Sequence, residues 1–288
     1  MNSKVVWISH LTVDKFLRLR NRLRRFLVNK SANETQLSDS ESSFYLSSLE
    51  KINSSASRRN FRRIYDYREI LEHVDFQTGQ NYLNRIENLG FDIHELIKIG
   101  LPNDAYGNPR TYTFNNSPKI SPTTLRYLAV ACELQAIFGS LENSNIIEIG
   151  AGYGGQLAIL SRMYNLKSYS IYDLPQAQEL IGHYLNSIGV ALKPRMLDID
   201  NVTPGSYDLI ISNYAFSELP NDIQKKYLTN TLSRSTKGYL IMNSGKSNET
   251  GRSRGKLDVS EIRSYLPPSK LLPEIPLTSP DNYVLTWG

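Results

Sequence analysis

The sequence predicts a doubly wound, mostly parallel α/β sheet of seven strands behind an N-terminal helical extension. Three observations predict it. From Asn145 onward short apolar runs of strand type alternate with helical ones. A glycine-rich turn, "IIEIGAGYGGQ" (146–156), joins the first such strand to the helix that follows. Residues 43–138 carry apolar positions three and four apart before any strand appears.

At 288 residues and 40% hydrophobic content the chain can bury one large core or two smaller ones. Three segments are expected: 1–42, 43–123 and 124–288. The lone Cys132 excludes an internal disulfide framework and a cysteine-only zinc cage, which suits a reducing compartment, the cytoplasm by default. No apolar run reaches the roughly 18 residues needed to span a bilayer, and the start reads as no export signal. The charge is uneven. Residues 1–30 hold eight Lys or Arg against Asp14 alone, so +7 sits there and the remainder of the +5 chain is −2. A slightly acidic body is a poor nucleic-acid binder.

The arm "LTVDKFLRLRNRLRRFLV" (11–28) reads as a basic amphipathic helix. It would pack on the body or another subunit, or dock peripherally on an anionic membrane. The Ser-rich stretch after it reads as a polar linker. In 43–123, "RRNFRRIYDYREILEHV" and "QNYLNRIENLG" read as helices, the second ending at Gly90. This region would build a lid and substrate surface. Its Pro/Tyr-rich segment offers Tyr106, Tyr112 and Phe114 to stack on a ligand, with Asn103, Asp104, Asn108 and Arg110 to bond hydroxyls. The same aromatics would equally serve to fasten the loop. Ser121-Pro122 is an N-cap and first-turn pair for the helix "TTLRYLAVACELQAIFG".

In the last segment "NIIEIG" is strand 1, "GQLAILSRMY" its helix, "KSYSIYD" strand 2 and "PQAQELIGHYLNSIG" the next helix. "LKPRMLDI", "YDLIISNY", "KGYLIMNSG" and "NYVLTWG" supply further strands. Such a sheet binds ligand outside the carboxyl ends of its strands, where strand 1 sits. Gly150, Gly152 and Gly155 fit the dinucleotide turn, while Gly150, Gly152 and Gly154 fit that of S-adenosylmethionine enzymes. Glu148 tips the balance, because a carboxylate there repels a pyrophosphate and attracts an ammonium. Asp173, ending strand 2, is placed to accept from ribose hydroxyls in either case. Asp208, opening a strand, and Asp200, before a turn, read as structural.

The runs "IIEIGAGYGGQ", "YDLPQA", "MLDI", "YDLIISNYAFSEL" and "GYLIMNSG" resemble, in order and spacing, the motifs of class I S-adenosylmethionine-dependent methyltransferases, a Rossmann-like fold. The resemblance covers about Thr124 to Gly288. EIGAGYGGQ, SNYAFSEL and the ending "LPEIPLTSPDNYVLTWG" are similar, more narrowly, to a bacterial family assigned as sugar O-methyltransferases. It implies that Glu148, Gly150, Ala151, Gly152, Tyr153 and Gly154 wrap the methionine part. Asp173 with Leu174 would bind the ribose side, Asp198 and Ile199 would edge the adenine, and Asn213 and Tyr214 would border the sulfonium. The acceptor would be a sugar hydroxyl, with a role in surface glycan synthesis.

An attacking hydroxyl must lose a proton, so a base or a divalent metal is expected near the methyl group. Glu218 is the leading base candidate, against a role as a helix-terminal carboxylate or hydroxyl ligand. His10, His73, His94 and His183 read as surface or packing residues, and no cluster has spacing that compels a metal site. Two other readings remain open: transfer to another small molecule or an amine, and a non-catalytic binding scaffold.

Overall fold

The computed structural model describes residues 43–54, 56–198, 201–243 and 257–288. The basic arm, the polar linker, His10, Ile199 and Asp200 lie outside them. Among the described residues a helical extension leads into the sheet: α1 (Ser43–Asn53), a 3₁₀ segment (Ala56–Arg63), α2 (Tyr65–Leu71), α3 (Phe76–Asn88), α4 (Ile93–Gly100) and α5 (Pro122–Phe138). The body then alternates β1 (Asn145–Ile149), α6 (Gly155–Met163), β2 (Ser168–Asp173), α7 (Pro175–Ser187), β3 (Arg195–Asp198) and β4 (Leu209–Asn213). It continues with α8 (Ala215–Glu218), α9 (Asn221–Asn230), β5 (Lys237–Met242), α10 (Val259–Ser264), β6 (Ser269–Pro273) and β7 (Tyr283–Trp287).

The seven strands lie in the order β3-β2-β1-β4-β5-β7-β6. The pairs from β3 to β5 are parallel, and β7 runs antiparallel to both β5 and β6. This is the doubly wound Rossmann-like sheet that the sequence predicts. The strand order reverses between β1 and β4, the switch point at which such sheets take ligands. Alternation along β1 explains the two-sided burial. Ile146 and Glu148 share one face with Tyr169, while Ile147 and Ile149 face the cluster of Phe216, Tyr227 and Trp287.

Helix α5 is buried from Pro122 to Leu134, the charged Arg126 and Glu133 included. Its N-cap is Ser121, whose Oγ accepts the Thr124 amide at 3.1 Å. Helices α2 to α5 belong to the same hydrophobic cluster as β1 and α6, so the extension is packed into the body.

Two elements differ from the sequence reading. Residues 58–74 do not form one helix, because Asn60 is non-helical (φ −124°, ψ 20°) and Ile64 is extended. The break aims three arginines in different directions: Arg58 at Glu179, Arg62 at Glu72 and Asp104, Arg63 at the Asn108 and Pro109 carbonyls. The strand not assigned from sequence is β6, an edge strand that ends on a proline and exposes most of its residues. Asp208 is structural as expected, its carboxylate accepting the Asn145 amide at 2.7 Å.

Candidate active site

The turn after β1 is left-handed at Gly150, Gly152 and Gly154 (φ +73°, +62° and +88°), a conformation strained for any residue with a Cβ. Asp173, at the end of β2, clasps this turn. Its Oδ2 accepts the Gly152 amide at 3.1 Å and its Oδ1 the Leu174 amide at 2.8 Å. Burial raises the Asp173 pKa to about 6, against the pull of the backbone amides of Leu174, Gly152 and Ala151. Glu148 is 1% exposed, and its Oε2 accepts the Tyr169 hydroxyl at 2.7 Å. Burial lifts its pKa to about 8, the Tyr169 bond opposing and Asp173 adding to the rise. Neither carboxylate has a cationic partner among the described residues.

Ala151 and Tyr153 are buried. The Tyr153 ring turns into the protein against Tyr184 (4.8 Å), Phe61 (5.4 Å) and the Arg62 guanidinium (4.9 Å), so only its backbone faces a ligand. Asp198 lies beside Asp173 in the β2–β3 register and is exposed. At the end of β4, Asn213 Oδ1 is buried with no partner among the described residues. Tyr214 adopts φ +74°, which a bulky residue holds only under restraint. Its amide donates to the Ile241 carbonyl at 2.9 Å, and its hydroxyl donates to Glu274 and meets Thr278 Oγ1 at 3.1 Å.

Glu218 closes the short helix α8, where its Oε1 accepts from Asn243 Nδ2 at 3.1 Å. The start of that helix abuts the turn: a Cβ on Gly150 would lie 2.1 Å from Ala215 Cβ. The extension roofs the other side. Leu71 packs on Gly152, and Tyr45 of α1 lies within electrostatic reach of Asp173, Tyr127 and Glu218. Burial first, then those neighbours, drive the Tyr45 pKa well up. Tyr45 has no motif around it, and its role was not legible in the sequence.

The Pro/Tyr-rich segment is tied down. Phe114 stacks on Phe76 at 4.9 Å, and Tyr112 meets Phe76 edge-on at 5.5 Å. Tyr106 lies 6.3 Å from Phe61, Arg110 is half-buried near Arg63, and Asn108 bonds Asn60. Asn103 and Asp104 are not available to bond a ligand's hydroxyls. Asn103 is 0% exposed, donating to the Gly155 carbonyl and accepting from Arg162. Asp104 is taken up by Arg62, Ser121 and Thr124.

That last contact belongs to a buried network. Arg62, 0% exposed, donates to both Glu72 oxygens (2.6 and 3.1 Å), Asp104 (2.8 Å), Ser121 Oγ (2.9 Å) and the Asn103 carbonyl (3.1 Å). It locks α2, α5 and the segment after α4 behind the glycine turn. The described histidines stay clear of the turn: His183 meets Arg58, while His73 and His94 are exposed. Among the described residues no group of three or more His, Cys, Asp or Glu could hold a metal ion, and no helix is long and apolar enough to cross a membrane. A cavity of about 190 Å³ beside β5 and β7, lined by Arg85, Glu133, Ile137, Tyr239 and Ile275, includes none of these residues.

No family model matches the chain, and no curated protein matches it. Solved structures resemble it in form. One, from Galdieria sulphuraria and provisionally named a sarcosine dimethylglycine methyltransferase, is 18% identical over 52% of this chain and 64% of its own, with a TM-score of 0.42. An O-methyltransferase family protein from Burkholderia thailandensis is 12% identical over 56% and 57%, TM-score 0.38. An S-adenosylmethionine-dependent methyltransferase from Clostridium acetobutylicum is 19% identical over 43% and 51%, TM-score 0.34. The chain thus spans between half and two thirds of each of them, and at these levels chemistry has to be argued from the site.

Proposed function

We propose that the protein is an S-adenosylmethionine-dependent methyltransferase acting on a sugar hydroxyl. The observation that carries the cofactor is the pair of buried carboxylates, Glu148 and Asp173, bracketing a three-glycine left-handed turn without a cation of their own. A pyrophosphate would add negative charge there, whereas a ligand with an ammonium and a ribose answers both groups. Asn213 Oδ1, without a partner among the described residues, fits the same ligand as an acceptor. Glu148 and the turn from Gly150 to Gly154 hold the amino-acid end, and Asp173 with Leu174 the ribose. Asp198 and Ile199 take the adenine, and Asn213 with Tyr214 the sulfonium end.

When bound, the cofactor supplies a methyl group already activated toward in-line displacement. What remains for the chain is to orient the acceptor oxygen and take its proton. Glu218 is held by Asn243 beside the turn and is the base. Tyr45 and Tyr67, stacked at 6.2 Å over the site, exclude water. The sugar acceptor is supported by the motif resemblance.

Calorimetry with S-adenosylmethionine and its demethylated product, followed by labelled methyl transfer to sugars, nucleotide sugars and amines, tests the reading. Binding plus transfer to a hydroxyl is expected. Transfer to amines alone would move the acceptor class, and binding without any transfer would leave a scaffold. NADH binding with no response to the adenosyl compounds would overturn the assignment.

A further inference from the structure

Two arginines are buried among the described residues, and they are treated in opposite ways. Arg62 is neutralised by two carboxylates. Arg126, in the second turn of α5 and 7% exposed, has no carboxylate within ion-pair distance among the described residues. Its Nε is fully buried with no hydrogen-bond partner, and its guanidinium lies 5.3 Å from the centre of the Tyr127 ring. Burial works against its charge, and the phenols of Tyr127, which also hydrogen-bonds the guanidinium, Tyr82 and Tyr214 work for it. Glu72, whose charge Arg126 favours from a distance, pairs with Arg62, and Glu274 accepts from Tyr214 and Thr278. An arginine cannot shed its proton to escape burial, so an uncompensated guanidinium in such a place is costly unless something supplies the anion.

The position says what would supply it. Tyr127 packs on the glycine turn, where a Cβ on Gly155 would lie 2.3 Å from its ring. Tyr214 follows Asn213 at the end of β4. Arg126 therefore sits between the turn assigned to the cofactor and the residue assigned to its sulfonium end. We infer that Arg126 is the seat of an anionic group on the acceptor, a carboxylate or a phosphate, so that the substrate is an acidic or phosphorylated sugar. This rests on the methyltransferase reading. A planar guanidinium whose Nε is unpartnered among the described residues matches an oxyanion in paired fashion.

The test uses the full chain and three proteins: wild type, Arg126→Met and Arg126→Lys. Thermal melting is followed with inorganic phosphate, glucuronate and glucose 6-phosphate, with methyl glucoside as the neutral control. Methyl transfer to the three sugars and cofactor binding are measured alongside. Anions are expected to raise the melting temperature of wild type and not of Arg126→Met, which itself melts higher than wild type without ligand. The acidic or phosphorylated sugar should be used with at least a tenfold lower KM than the neutral one, and the better of the two identifies the group. Arg126→Met should erase that preference with unchanged cofactor Kd, and Arg126→Lys should restore part of it. Equal use of neutral and anionic acceptors, or anion stabilisation that survives Arg126→Met, would overturn the inference. Loss of cofactor binding in every protein would instead overturn the methyltransferase reading, with the anion-dependent melting still deciding the role of Arg126.

Discussion

Glu148→Gln separates two effects that act on one carboxyl in opposite directions. The substitution keeps the shape and an acceptor for the Tyr169 hydroxyl but removes ionisation. Because the folded pKa, about 8, lies above the ordinary 4.5, the folded state binds the proton more tightly than the unfolded one. Wild type therefore has its full stability below pH 4.5 and loses it as pH rises toward 8. At about 1.36 kcal/mol per pH unit the loss is about 1 kcal/mol at pH 5, about 3 at pH 7 and at most about 5 at pH 9. The amide variant escapes it, while Asp173 titrates in both proteins and largely cancels from the difference. Melting curves without cofactor, taken from pH 5 to 9, should show the variant above wild type by a margin that widens with pH, at roughly 2–4 °C per kcal/mol. Cofactor affinity should move the other way, falling by about 1.5–3 kcal/mol with the charged hydrogen bond to the ammonium. Parallel melting profiles, or a margin that shrinks with pH, would show that Glu148 is not a strained buried acid, and unchanged affinity would remove it from the ligand site.

Asp173→Ala, measured by calorimetry, should weaken S-adenosylmethionine binding by about 1–3 kcal/mol, since it loses the ribose acceptor and frees the Gly152 amide. Glu218→Gln should cut turnover by about 10² to 10⁴ in single-turnover assays and leave cofactor affinity nearly intact; unchanged turnover returns Glu218 to a structural role. Arg62→Met strands Glu72 and Asp104 and should lower stability in urea by about 3–5 kcal/mol, the reverse of Arg126→Met. A stabilised Arg62→Met would contradict the network described here.

Local pattern carried most of the fold and named part of the candidate site. The β1 run, its glycine turn and Asp173 lie within short motifs whose period and spacing are fixed by the backbone they serve. Residues defined by distant partners were illegible. Arg62 meets Glu72 and Asp104 ten and 42 positions away. Tyr45 reaches the site only because α1 folds over it. Tyr112 and Phe114 have the composition of a sugar platform, yet Phe76, contributed by another helix, takes up their faces. Strand β6 escaped because an exposed edge strand has little apolar alternation to read.

The placement of β7 between β5 and β6 bears on how the chain is made. Strand β5 emerges more than forty residues before the strand that covers its outer edge. Until then the backbone of Gly238 to Met242 offers a free ladder to any passing strand, the usual template for aggregation. Closure also seats Trp287, whose ring covers Gly238 so closely that a Cβ there would lie 2.2 Å away, with Nε1 donating to the Ser235 carbonyl at 3.1 Å. Its fluorescence marks the moment when that edge disappears.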